Sequence, residues 1–156
     1  MTAQFAAFHV DGTLWGIPAL CVREIIRHQG YFPVPRASSF IHGLMNLRGK
    51  IVTVLDLGRR LGGRSDSDVP RDVCIILKTD AEIAGLPVGQ RPAEKIGPDI
   101  IGLLVDEMAE VIDVEETAID TNPVQIPRTH RRFVNGVVKL PDELMLVLAL
   151  EPVLEL

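Results

Sequence analysis

The chain has little of what marks enzymes, membrane proteins and nucleic-acid binders. It holds two cysteines, Cys21 and Cys74, which stand 53 positions apart in a chain of 156 residues. That spacing offers neither a CxxC redox pair nor a zinc-ligand pair, and both read as reduced core residues. No apolar run approaches the ~20 residues that a membrane-spanning helix needs. The most apolar stretches, Ile51 to Leu57 and Leu144 to Leu150, read as buried strands, and no membrane insertion is expected. Met1 to Val10 lacks a basic flank followed by a long apolar run, so a cytoplasmic location is expected. Positive charge is not in excess: 21 acidic against 16 basic side chains give a net charge of -5, with no general attraction to nucleic acid.

The arrangements that carry catalysis are also missing. His9, His28, His42 and His130 form no H-x-x-x-H or H-E-x-x-H pattern and read as surface or turn residues. Ser38, Ser39, Ser65 and Ser67 sit in no G-x-S-x-G elbow, and the glycines from Gly85 to Gly97 make neither a P-loop nor a G-x-G-x-x-G motif. Asp106, Glu107 and Glu110 are hard oxygen donors, although an acidic edge strand is the expected reading. Asp56 suits a strand-end turn, and Arg128, His130, Arg131 and Arg132 read as a solvated basic stretch. Neither a metal nor another cofactor is expected. A small enzyme or ligand-binding barrel is the rival reading, and no polar groups converge in the sequence to support it.

What is present is a composition of 47% apolar and 24% charged residues, that of a folded globule. Short apolar runs recur between Gly, Pro, Asp and Asn, which predicts an all-β fold with a few short helical turns. Strands are predicted over Gln4 to Val10, Thr13 to Pro18, Ile51 to Asp56, Asp72 to Lys78, Ile100 to Val105, Glu107 to Val114, Val134 to Leu140 and Leu144 to Leu150. Ala19 to Ile26 is compatible with a helical turn passing into a strand at the β-branched Val22, Ile25 and Ile26.

An internal repeat organises these pieces. An offset of 86 residues places Gly16 on Gly102, Glu24 on Glu110, Ile25 on Val111 and Ile26 on Ile112. An offset of 93 places Gly43 on Gly136, Ile51 on Leu144, Val54 on Val147, Leu57 on Leu150 and Leu61 on Leu154. Two halves, roughly residues 4–61 and 72–154, are therefore expected to pack into one domain, each as a small barrel that leaves few open sheet edges. Gly62 to Pro70 reads as a polar surface connection, and Thr79 to Asp99, rich in Gly and Pro, as a surface insertion.

The most informative segment runs Gly43-Leu44-Met45-Asn46-Leu47-Arg48-Gly49-Lys50 and leads straight into Ile51-Val52-Thr53-Val54-Leu55-Asp56-Leu57. It reads as two strands around a turn, with Asn46 and Gly49 supplying the special backbone angles. The repeat sets Pro141 at the place of Arg48, so the turn does not need an arginine to form. Arg48 is thereby marked as a contact residue.

With Val22-Arg23-Glu24-Ile25, Asn46-Leu47-Arg48-Gly49-Lys50-Ile51-Val52 and Ile101-Gly102-Leu103-Leu104-Val105-Asp106 in this order, the chain resembles the CheW family of chemotaxis coupling proteins. The resemblance implies two five-stranded β-barrels related by a pseudo-twofold. It also implies a non-enzymatic adaptor joining the cytoplasmic hairpin tip of chemoreceptors to the regulatory domain of the histidine kinase CheA. By motif position it implicates Val22, Glu24, Gly43, Arg48 and Val111 in receptor coupling, in a protein that is monomeric in isolation and recruited to membrane-associated arrays. A paralogue serving a pilus or another non-flagellar array fits the same motifs. Two departures stand out: Thr79 to Asp99 exceeds the usual hairpin, and Thr53 replaces a frequent proline.

Overall fold

The computed structural model describes residues 2–27, 30–62, 71–121, 126 and 131–155. Eleven strands are present among them: β1 Thr2–Val10, β2 Thr13–Pro18, β3 Val22–Arg27, β4 Ile41–Leu47, β5 Lys50–Asp56, β6 Val73–Leu77, β7 Ile101–Val105, β8 Glu107–Glu115, β9 Ile119–Asp120, β10 Val134–Lys139 and β11 Leu144–Leu148. Three helices of four or five residues join them: α1 Leu57–Arg60, α2 Asp80–Ala84 and α3 Leu150–Val153. The strands form two sheets, one of order β8-β1-β2-β11-β10-β9 and one of order β3-β6-β7-β5-β4. The mainly β, two-sheet fold is as predicted. The two-residue β9 adds a sixth strand to one sheet, too short to leave a periodic signal in sequence.

Each sheet holds one parallel neighbour pair, β5 with β7 and β11 with β2, among antiparallel ones. Strands that follow one another in sequence therefore cross between sheets: β7 belongs to one and β8 to the other. The chain cannot be cut at its middle without breaking both sheets.

Alternation of side chains explains the continuous apolar runs. In β1, Ala6, Phe8 and Val10 enter a core shared by the two sheets, whereas Phe5 and Ala7 enter a smaller cluster with Leu14, Met145 and Val147. In β5 to β7, Leu55, Ile75, Leu77 and Leu103 face the shared core, whereas Val52, Val54, Cys74, Ile76 and Leu104 enclose a third cluster. Strands buried on both faces carry apolar residues at every position rather than every second one. Burial of Cys21 and Cys74 pushes both thiols up to about 12 and keeps them neutral.

Two hairpins use the same turn. Asp11-Gly12 joins β1 to β2 and Arg48-Gly49 joins β4 to β5, with positive φ at both central residues: 50 and 81 degrees, then 51 and 83 degrees. Such mirror-image turns match strand twist and favour Asp-Gly or Asn-Gly. Asn46 does not supply an unusual backbone angle, as the sequence led us to expect. Its Oδ1 accepts from Gly49 N at 2.9 Å, and Arg48 holds the strained conformation.

Thr79 to Asp99 lies mostly at the surface, as expected, but is fastened to the core and so is more than an insertion. Thr79 and Glu82 form a capping box at the start of α2, which turns Ile83 inward. The Asp80 carboxylate accepts from Ile96 N and Gly97 N at 2.8 and 2.9 Å, so the returning chain drops Ile96 into the shared core beside Ile83. Asn135 of β10 donates to Glu94 Oε1 at 3.0 Å. The segment lacks a period because its helix is only five residues long and side-chain bonds to backbone hold the rest. Of the connection expected at Gly62 to Pro70, all but Gly62 lies outside the described residues, as do His28, Arg128 and His130.

Candidate functional site

The five residues implicated by motif fall on three strands and one turn. Glu24 lies on β3 and Arg48 in the β4–β5 turn, and they meet: Nη1 donates to Oε1 at 2.9 Å and Nη2 to Oε2 at 2.8 Å. Strands β3 and β4 are the two ends of the five-stranded sheet, so the pair shows how far that sheet curls upon itself. The Arg48 hydrogen bonds hold the Glu24 carboxyl below its ordinary range, and Glu24 in turn raises Arg48. With its side chain 71% exposed, Arg48 presents the pair to the outside.

Its neighbours extend the network. A register shift between Val22 and Glu24 breaks strict alternation in β3. Val22 turns partly toward the shared core, and Arg23 turns toward α2. There the Arg23 guanidinium grips both carboxylate oxygens of Glu82, with Nε to Oε2 at 2.9 Å. The Arg23 hydrogen bond lowers the Glu82 carboxyl. Between this pair and the β4–β5 turn opens a cleft of about 700 Å³, bordered by Arg23, Leu47, Arg48, Lys50, Glu82 and Ile100.

Gly43 contributes through what it lacks. A Cβ there would lie 2.7 Å from Phe32 O, and the chain at Phe32 pairs with Leu44 through two backbone hydrogen bonds of 2.8 Å. Glycine thus lets the preceding loop cover the edge of β4 while Phe32 stays 67% exposed. Val111 lies on β8, in the other sheet, and is 62% exposed. Two residue pairs that the repeat equates, Ile25 with Val111 and Ile51 with Leu144, are all exposed apolar side chains at 47, 62, 70 and 53%.

Arg23 and Glu82 escaped the sequence reading, although the Thr79-Asp80-Ala81-Glu82 run carries the capping-box signature that would have placed Glu82 at a helix start. A second missed group is Arg71, whose side chain is 3% exposed. It contacts Asp11 at 2.5 Å, Asp56 at 3.2 Å and Asp106 at 3.0 Å, and so ties the turns of both sheets together. Asp106 is therefore committed to an ion pair rather than to a cation site. Asp56 caps α1, as its strand-end position suggested, by accepting from Arg59 N at 3.2 Å. His9 lies within β1, partly buried between Glu107 and Glu143, and not in a turn. Arg132 is solvated, as expected, and pairs at the surface with Glu155 at 2.8 Å. Among the described residues there is no group of three or more metal-ligating side chains, and no helix long and apolar enough to cross a membrane.

Comparison with known proteins agrees with this fold. Residues 4–156 match the family described as the CheW-like domain. The chain is 25% identical to chemotaxis protein CheW of Treponema pallidum, over 93% of this chain and 78% of that protein. It is 24% identical to chemotaxis protein CheW of Rhizobium meliloti, over 96% and 86%. The crystal structure of the scaffolding protein TtCheW from Thermoanaerobacter tengcongensis superposes with a TM-score of 0.78 at 27% identity, covering all of this chain and 94% of that one. The chain therefore belongs to the CheW-like domain family.

Proposed function

We propose that this protein couples chemoreceptors to the histidine kinase CheA by binding both, without catalysing a reaction. The observation that carries this reading is the Glu24–Arg48 pair, displayed on a turn whose backbone an arginine adopts only with strain. Strain of this kind is retained where a side chain is needed in one place. The receptor's cytoplasmic hairpin tip would contact the surface formed by Val22, Glu24, Gly43, Arg48 and Val111. Exposed Ile25 on β3, Phe32 beside β4 and Ile51 on β5 supply apolar area on the five-stranded sheet, suited to a kinase regulatory domain. The 156 residues act as one domain of two interleaved halves, monomeric in isolation, in the cytoplasm and recruited to receptor arrays. Crossed strand pairing supports treating the halves as one unit.

The test is affinity capture from the source cell with the intact chain as bait. Recovery of a chemoreceptor together with a histidine kinase supports coupling. Recovery of neither, with the bait folded, contradicts it.

A further inference from the structure

The cleft beside Arg48 has a charge balance that points to an occupant. Arg23 is held by Glu82 and Arg48 by Glu24, two cations each matched by a carboxylate. Lys50 at the same cleft is exposed and has no carboxylate within ion-pair distance among the described residues. The cleft therefore carries one uncompensated positive charge on a chain of net charge -5. Leu47, Ile100 and Pro98 give the same cleft an apolar lining.

Its far wall comes from the Thr79–Ile100 segment. That wall is fixed at one end by the capping box and the Arg23–Glu82 grip, and further along by Ile96 in the shared core. A wall held in this way presents a preformed cleft, which reduces the ordering cost of binding. Arg48 uses two of its five N–H donors on Glu24, so a second acceptor can approach the same guanidinium from the cleft side.

We propose that this cleft seats an acidic side chain of the receptor hairpin tip, with Lys50 as its principal cation and the Thr79–Ile100 segment as the wall that selects it. A glutamate fits the lining: its methylenes would lie against Leu47 and Ile100 and its carboxylate would reach Lys50 and Arg48. The inference rests on the receptor-coupling reading and adds to it a residue, a wall and a partner chemistry.

The experiment measures binding of the wild type, Lys50→Glu, Lys50→Arg and Arg48→Glu to the purified cytoplasmic fragment of a chemoreceptor from the same genome, at low and at physiological salt. Binding to the regulatory domain of the cognate kinase is measured in parallel. Lys50→Glu is expected to weaken receptor binding by at least about tenfold, because a like charge then faces the partner, and to remove most of its salt dependence. Lys50→Arg is expected to bind as the wild type does, and kinase binding and melting temperature should not change. Unchanged receptor binding by Lys50→Glu, while Arg48→Glu abolishes it, overturns the cleft and leaves receptor coupling standing. Loss of kinase binding instead of receptor binding overturns the assigned occupant. Failure of the wild type to bind the receptor fragment overturns the coupling reading and this inference with it.

Discussion

Arg48 grips both carboxylate oxygens of Glu24, a residue 24 positions earlier, and the contact joins elements at opposite ends of one five-stranded sheet. Arg48 is exposed and Glu24 half-buried at the surface, so the pair adds little to stability and much to the shape of the surface. Arg48→Glu should give a soluble protein with a melting temperature close to that of the wild type, and receptor binding should be lost. Pairing it with Glu24→Arg separates internal geometry from direct contact. Restored binding in the double variant means that mutual orientation is what the partner reads, and continued loss means that the partner touches Arg48 itself.

Arg71 is a different kind of ion pair. Its side chain is 3% exposed, and Asp56 beside it is buried as well. Arg71→Met removes the buried cation shared by Asp11, Asp56 and Asp106 and leaves Asp56 with only the more distant Arg59 at 3.7 Å, which should cost about 3–5 kcal/mol. Urea denaturation measures this directly. A loss below about 1 kcal/mol would mean that the carboxylates find other partners or water, as they do at surface pairs.

The segment between β6 and β7 should behave as core. Ile96→Ala is expected to cost about 2–5 kcal/mol, as truncation of a buried isoleucine does. Replacing residues 84–98 by a short Gly-Ser link removes that side chain and the Glu94 contact with Asn135 together. It should lower the melting temperature by well over a few degrees. A normal melt would show that Ile96 contributes no burial.

How much of this was legible follows the physics of each part. Ile51 to Leu57 announced a strand because Val52, Val54 and Leu55 bury both its faces. Glu24 and Arg48 were legible from motif and charge. Arg23 and Glu82 lie 59 positions apart, and only the fold brings them together. Ile83 and Ile96 gave no periodic signal because the helix holding Ile83 is one turn long and a carboxylate, Asp80, holds the chain at Ile96. Arg48 is a poor residue for positive φ, so its turn was assigned to Asn46 and Gly49 instead.

Glu94 should set a pH dependence. Burial raises its carboxyl above the ordinary range, and bonds from the Leu150 backbone and Asn135 offset that only in part. A group whose folded pKa is raised binds its proton more tightly when folded. Its contribution is therefore fully present below the ordinary glutamate value and is lost as pH rises through the raised one. Glu94→Gln, which keeps the acceptor for Asn135, should match the wild type near pH 4 and exceed it in stability at pH 8. Measuring both proteins across this range cancels the opposite trend of Glu24 and Glu82, whose carboxyls are lowered. A difference that does not vary with pH would contradict the assignment.

The central claim is that Arg48 occupies a strained turn for the sake of a partner. Asparagine relieves that strain, since Asn-Gly is the favoured pair for this turn and tolerates positive φ. The measurement is receptor-fragment affinity and melting temperature of Arg48→Asn side by side. The account predicts a melting temperature equal to or above that of the wild type, with receptor binding lost. Full binding by Arg48→Asn would contradict it.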